Sequence, residues 1–239
     1  MVKGKMFCIE GPDAVGKNTQ SKLLAEKFNA KLISFPRYAT EIGQAIRGSV
    51  MGEWAACVPN GDYEPDDKIN FLARQALFLL DRYDAASEIE NTLNAGTNVV
   101  LDRYWPSGVI FGASDGLDEQ MLIRAHIRLP QPDIFILLHV PLEEGFRRRP
   151  ERRDLYERSP EKMEDVRLRY FELFVKQQAD RLQVWTRLEE HQRTGDCQGM
   201  CCDKCPAIAR PLYSMPKWVV VDGVGTIEEV HNRILGVIS

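Results

Sequence analysis

The 239-residue chain has no apolar stretch near the roughly 18 residues that a membrane-spanning helix needs. It also lacks a charged-then-apolar leader, because Met1 passes almost directly into the first apolar segment. These two absences predict a soluble, cytoplasmic protein with no membrane partner. Positive charge is not in excess either: the formal net charge is −4, which removes the electrostatic reason to expect a nucleic-acid polymer as partner. No internal repeat and no Pro/Gly/Ser-rich linker divides the chain, so one domain over residues 1–239 is expected. What is present suits that expectation. Hydrophobic residues at 44% fill a full core, and charged residues at 28% suit a solvated surface. The six cysteines read as thiols or metal ligands in such a compartment, not as a disulfide framework.

Short apolar runs alternate with helical patterns. Met6 to Glu10, Lys31 to Phe35, Asn98 to Leu101, Pro132 to Val140 and Trp218 to Val221 read as strands. Thr19 to Phe28 reads as an amphipathic helix. Asp66 to Leu93 reads as a long one, closed by Gly96. The alternation predicts an α/β fold with a five-stranded parallel sheet covered by helices on both faces. Ligands of such sheets bind at the carboxyl ends of the strands.

The segment after the first strand carries the strongest signal. Gly11, Pro12, Asp13, Ala14, Val15, Gly16, Lys17, Asn18 and Thr19 nearly match G-x-x-x-x-G-K-[ST], a loop whose backbone N–H groups and following helix N-terminus cradle phosphates. This is the expected ATP-binding loop, with Lys17 as a mobile cation for the outer phosphates. Asn18 stands where the pattern has a hydroxyl residue, so the expected Mg²⁺ ligand there is the Asn18 amide oxygen or the neighbouring Thr19 hydroxyl. Asp102-Arg103-Tyr104 follows a predicted strand at the same sheet edge. Asp102 is placed to organise Mg²⁺, and Arg103 to hold a second phosphate group by bidentate contact.

Phe78 and Arg82 lie four residues apart on the long helix, hence on one face, where a ring stacks on a planar base and a guanidinium donates to a ring carbonyl. The bland reading of the same pair is a core Phe and a solvated Arg. Residues 147–158 hold six arginines among three acidic residues, a local charge of about +3, which reads either as a mobile phosphoryl-transfer lid or as a solvated helix face.

Taken together these motifs resemble the thymidylate kinases over nearly the whole length, leaving out a cysteine-rich insertion. Gly11 to Gln20 resembles the family P-loop. Phe35-Pro36-Arg37-Tyr38 with Glu41-Ile42-Gly43 resembles its F-P-x-R…E-I-G segment, and Leu77 to Arg82 its L-F-x-x-[DN]-R helix. Asp102 to Tyr104 with Ser107-Gly108-Val109 and Phe111 resembles D-R-Y-x-x-S-G-V-x-[FY]; Pro132 to Pro141, Arg153 to Glu157 and Asp222 with Ile227 to Val230 resemble later segments. The resemblance implies the P-loop nucleoside monophosphate kinase fold, a homodimer, and transfer of the ATP γ-phosphoryl group to dTMP with Mg²⁺. It implies that Lys17 holds the ATP phosphates, Asp13 the acceptor's sugar or phosphate network, and Arg103 the acceptor phosphate. Phe78 stacks on thymine, Arg82 donates to its O4, Phe111 excludes a ribose 2′-hydroxyl, and Arg37 and Ser107 join the substrate site.

The chain departs from the family pattern in several places. Arg37 sits one position early, with Tyr38 in the usual arginine's place; Ala14 replaces a P-loop arginine of some members; Gly112 replaces a polar residue near the base. Catalytic arginine duty then falls to the lid, with Arg149, Arg152 and Arg153 as candidates. The insertion at about 195–216 carries Cys197, Cys201, Cys202 and Cys205, which suit one structural tetrahedral Zn²⁺; three of them with His191 form another set, and a reduced surface loop is the plain reading. Another deoxypyrimidine monophosphate kinase or deoxynucleoside kinase stays open as an alternative function. So does a catalytically weak binding or regulatory homologue, which Asn18 favours.

Overall fold

The computed structural model describes residues 2–51, 68–148, 159–193 and 216–238. Strand β1 (Met6–Glu10) is buried at all five positions, and its side chains divide between two cores in the period of two that a pleated strand imposes. Met6 and Cys8 join one cluster; Phe7 and Ile9 join the other. A strand apolar on both faces is stable only as the centre of a covered sheet. The chain supplies that cover as α1 (Lys17–Lys27), β2 (Lys31–Ser34), α2 (Glu41–Met51), α3 (Lys68–Asn94) and β3 (Val99–Asp102), followed by α4 (Trp105–Ser114) and α5 (Glu119–His126). It continues with β4 (Ile134–His139), α6 (Leu142–Arg148), α7 (Pro160–Arg193), β5 (Lys217–Asp222) and α8 (Ile227–Ile238).

The five strands form one sheet in the order β2-β3-β1-β4-β5, and every pairing is parallel. On one face, Ala85, Ile89 and Leu93 of α3, Val109 and Ile110 of α4, and Val166, Tyr170 and Leu173 of α7 pack on the sheet. On the other, Leu24 and Ala25 of α1 and Val230 and Ile234 of α8 do so. Each fully buried aliphatic side chain contributes about 1.5–3 kcal/mol, enough in sum to hold the layers together against chain entropy. The expected α/β architecture is the observed one.

Strand and helix ends differ from the sequence-based bounds by one or two residues. Asp102 was expected just beyond its strand, yet it is the last residue of β3, paired in register with Ile9 on one side and Ser34 on the other. β4 begins at Ile134, not Pro132, because Asp133 serves as an edge clasp: its carboxylate accepts from the Met6 N–H at 2.7 Å and its own N–H donates to the Met6 carbonyl at 2.9 Å. β1 lies between β3 and β4, so the chain path reverses direction across the sheet on either side of it. That switch point leaves a crevice beyond the carboxyl end of β1.

Candidate active site

The loop from Gly11 to Gly16 occupies this crevice. Gly11 has φ +143° and a Cβ there would stand 2.4 Å from the Leu138 carbonyl oxygen, so any side chain would drive β1 and β4 apart. Gly16, the N-cap of α1, has φ +97°, a conformation in which a side chain is strained although space is open. Ala14 (φ 62°) and Arg103 (φ 66°) adopt positive φ without the glycine exemption. Such strain persists where surrounding contacts fix it, and it gathers at functional sites.

Lys17 opens α1 and is 7% exposed, its Nζ donating to the Pro12 carbonyl inside the loop. Burial, with the Arg103 guanidinium second, pushes its pKa down to about 8. Beside it, Asn18 Nδ2 lies 3.4 Å from Asp102 Oδ2, which brings the two residues expected at the Mg²⁺ position together from α1 and β3. One carboxylate with a neighbouring amide or hydroxyl oxygen is the donor set that suits Mg²⁺ arriving on nucleotide phosphates.

Arg103 is tied into the loop. Nη2 pairs with the Asp13 carboxylate, and Nη1 donates to the Gly11 carbonyl at 3.1 Å, to Ser107 Oγ at 3.2 Å and to Tyr170 Oη at 3.3 Å. Burial alone would lower its pKa, but Asp13, then Tyr170 and Glu10, hold it above the ordinary arginine range. Glu10 is the hidden centre of this arrangement. Its fully buried carboxylate accepts from the Tyr104 N–H (2.7 Å), Ser107 (2.8 Å) and Tyr170 (2.9 Å). Sequence reasoning treated Glu10 only as a strand end; a carboxylate closing an apolar strand was the available signal.

A cavity of ≈ 720 Å³ runs from this loop to α3 and α4, lined by Lys17, Asp102 and Arg103 at one end and by Phe78, Arg82 and Phe111 toward the other. Asp13, Ala14, Gly16, Asn18, Thr19 and Ser107 line it as well. The structure thus collects most of the expected site residues in one continuous space. Phe111 also carries the Arg103 guanidinium 5.3 Å from its ring centroid.

Arg37 is not brought into the cavity. Its Nε donates to Asp81 Oδ1 at 2.8 Å, its N–H to Asp81 Oδ2 at 2.9 Å, and Nη2 to the Asp81 carbonyl at 3.0 Å and Asp84 at 2.5 Å. The planar guanidinium is committed to α3, and Tyr38 with Phe35 and Pro36 lines the cavity in its stead. Arg149, Arg152, Arg153 and the four insertion cysteines lie outside the described residues, as does most of the expected lid. Among the described residues no group of three or more His, Cys, Asp or Glu is arranged for a metal ion. Arg148, which sequence reasoning did not rank, does line the cavity and donates to the Gly223 carbonyl at 2.8 Å.

Gln75 is a second residue that went unseen. It lines the cavity three residues before Phe78 and is 4% exposed, and neither amide atom has a hydrogen-bond partner among the described residues. Its Cγ and Cδ would lie 3.3 Å from a Cβ at Gly112, so the absence of a side chain at Gly112 makes room for the Gln75 amide. The i, i+3, i+7 spacing of Gln75, Phe78 and Arg82 on one helix face was the signal available.

A glycine-framed loop after the central strand, a lysine opening the next helix and a carboxylate ending the neighbouring strand define a P-loop phosphotransferase of the nucleoside monophosphate kinase fold. The family model described as thymidylate kinase matches residues 9–193, and the chain belongs to that family. It is similar to a probable thymidylate kinase of Pyrococcus horikoshii, 35% identical over 62% of this chain and 70% of that protein. It is also similar to the thymidylate kinase of Schizosaccharomyces pombe, 33% identical over 58% of this chain and 62% of that one, so it spans under two thirds of the latter's length. The solved thymidylate kinase from Candida albicans superposes with a TM-score of 0.66 at 23% identity, covering 99% of this chain and 91% of that one, a likeness of fold. Phosphorylation of dTMP is the family function, and no described helix is long and apolar enough to cross a membrane.

Proposed function

We propose that this chain transfers the γ-phosphoryl group of ATP to dTMP, giving dTDP and ADP. The carrying observation is the single cavity that joins a phosphate loop to a stacking ring and a buried guanidinium. An oxygen of the acceptor phosphate forms a bond to the γ-phosphorus while the bond to the β–γ bridging oxygen breaks. The acceptor is ionised near neutral pH, so the enzyme supplies alignment and charge neutralisation, with no general base.

Lys17 and the loop N–H groups hold the ATP phosphates, and Arg103, oriented by Asp13, holds the acceptor phosphate. Phe78 stacks on thymine, Arg82 donates to its O4, the Gln75 amide meets the base edge, and Phe111 rejects a ribose 2′-hydroxyl sterically. Ser107 fixes Arg103 from α4. The Mg²⁺ that accompanies ATP would be held by Asp102 with Asn18 or Thr19, and it supplies charge neutralisation at the β- and γ-phosphates.

The family resemblance supports a homodimer in the cytoplasm as part of the same reading. Sequence chemistry alone supports one structural Zn²⁺ on Cys197, Cys201, Cys202 and Cys205, remote from the reaction. A coupled ADP-release assay over nucleosides and monophosphates tests the function: dTMP should be turned over. Turnover only with a nucleoside would reassign the acceptor, and no turnover with any acceptor would favour a binding or regulatory homologue.

A further inference from the structure

The Arg82 guanidinium is set from behind by a histidine on another helix. His126 ends α5, is 3% exposed, and its Nδ1 lies 2.7 Å from the Leu122 carbonyl oxygen. A carbonyl only accepts, so Nδ1 carries the proton and Nε2 keeps its lone pair. That lone pair faces Arg82 Nη1 at 3.4 Å, a long but directed contact, and the same Nη1 donates to the Phe78 carbonyl at 3.1 Å. A neighbouring tie holds the two helices in this relation, since Tyr83 Oη donates to the Ala125 carbonyl at 2.8 Å. A glycine makes the approach feasible: a Cβ at Gly108 would stand 2.7 Å from Arg82 Nη1 and 2.9 Å from His126 Nε2. With Nη1 engaged by α3 and α5, Nη2 is the terminal nitrogen without a partner among the described residues, on a side chain that lines the cavity.

We propose that His126 is a positioning residue for base selection: a neutral imidazole acceptor that grips Arg82 by Nη1 and so presents Nη2 to the pyrimidine carbonyl. The inference rests on the reading of Arg82 as the donor to thymine O4. Neutrality is the useful property. An acidic acceptor in this place would pair with the guanidinium and drain its charge from the bond to the base, whereas an imidazole orients the cation and leaves it cationic. Burial, and after it the Arg82 charge, pushes the His126 pKa down to about 3, so the ring stays neutral throughout the working pH range.

The test compares His126→Gln with His126→Met, side chains of equal length of which only the glutamine places an acceptor near Nε2. The readout is the ratio of kcat/KM for dTMP over dCMP, beside Arg82→Ala. His126→Gln should keep the ratio within about twofold, while His126→Met should lower it at least about fivefold through KM for dTMP, the scale of one lost specific contact. Adding His126→Met to Arg82→Ala should lower it no further. Equal ratios in the glutamine and methionine variants would overturn the proposal. Were Arg82→Ala to leave the ratio intact, the Arg82 reading itself would fall; were Arg82→Ala to collapse it while His126→Met did not, only the role of His126 would. If the methionine variant does not fold, His126→Asn, whose oxygen is too short to reach Nη1, takes its place and should lose discrimination that His126→Gln retains.

Discussion

Arg103 and Asp13 form an ion pair that joins the end of β3 to the phosphate loop, and Arg103 Nη1 donates to Gly11, Ser107 and Tyr170. On the proposed reading of the site, the two residues act as a unit on the acceptor phosphate. Arg103→Lys keeps the charge but loses the fork, and it should reduce kcat at least about tenfold with the fold intact. In a double-mutant cycle on kcat/KM, Arg103→Ala and Asp13→Ala should couple by about 1–3 kcal/mol. Additive effects of the two substitutions would separate Asp13 from the arginine's role.

Gln75 sits in the cavity wall with an amide that no group among the described residues satisfies. A buried amide without a partner costs about 1–3 kcal/mol, a penalty that makes sense where a ligand supplies the missing bonds. Gln75→Met, of similar shape, should leave Tm unchanged or raise it, while KM for dTMP rises roughly fivefold. A drop in Tm with unchanged KM would make Gln75 a packing residue.

The sheet was legible in the sequence because its central strands β1, β3 and β4 are buried on both faces and appear as short apolar runs, with shorter apolar cores in the half-buried edge strands β2 and β5. The phosphate loop was legible because its glycines and lysine are required by backbone geometry and charge at fixed spacing. Helix α4 was not delimited: it is buried on most sides, so Trp105 to Ser114 shows no polar stripe of helical period. Arg37 illustrates a different limit. Its position in sequence is the same whether the guanidinium enters the cavity or turns to Asp81, and only the packing of α3 decides. Gln75, Glu10 and His126 went unseen because their meaning lies in what each does or does not bond across distant elements, which spacing along one chain does not encode.

Arg148 donates to the Gly223 carbonyl at 2.8 Å and through Nε to Glu144 at 2.7 Å, and its Nη1 reaches the Val15 carbonyl at 3.5 Å, which links the phosphate loop to the segment after β5. This is the end of the cavity away from Phe78 and Arg82. Arg148→Ala should raise KM for ATP by about tenfold and leave KM for dTMP near wild type, the pattern of lost ground-state binding to one substrate. A fall in kcat with both KM values unchanged would instead give Arg148 the transition-state role expected of the lid arginines.

Lys17 ties catalysis to pH with a definite sign. Its folded pKa of about 8 lies below the ordinary lysine value of 10.5, so folding disfavours its charged form. The unfolded chain binds the proton between these two values and the folded chain does not. Stability should therefore rise with pH across the interval from about 8 to 10.5, and the cost, roughly 3 kcal/mol, is fully present below it. Lys17→Met should accordingly raise Tm at pH 7, while kcat falls at least about a hundredfold because charge is no longer met at the transferring group. Nucleotide phosphates favour the ammonium form, so ATP affinity should decline as pH rises above about 8, with proton uptake on binding. Calorimetric titration at pH 8.5 in buffers of different ionisation enthalpy measures that uptake directly. Uptake that persists unchanged in Lys17→Met would assign the proton to another group.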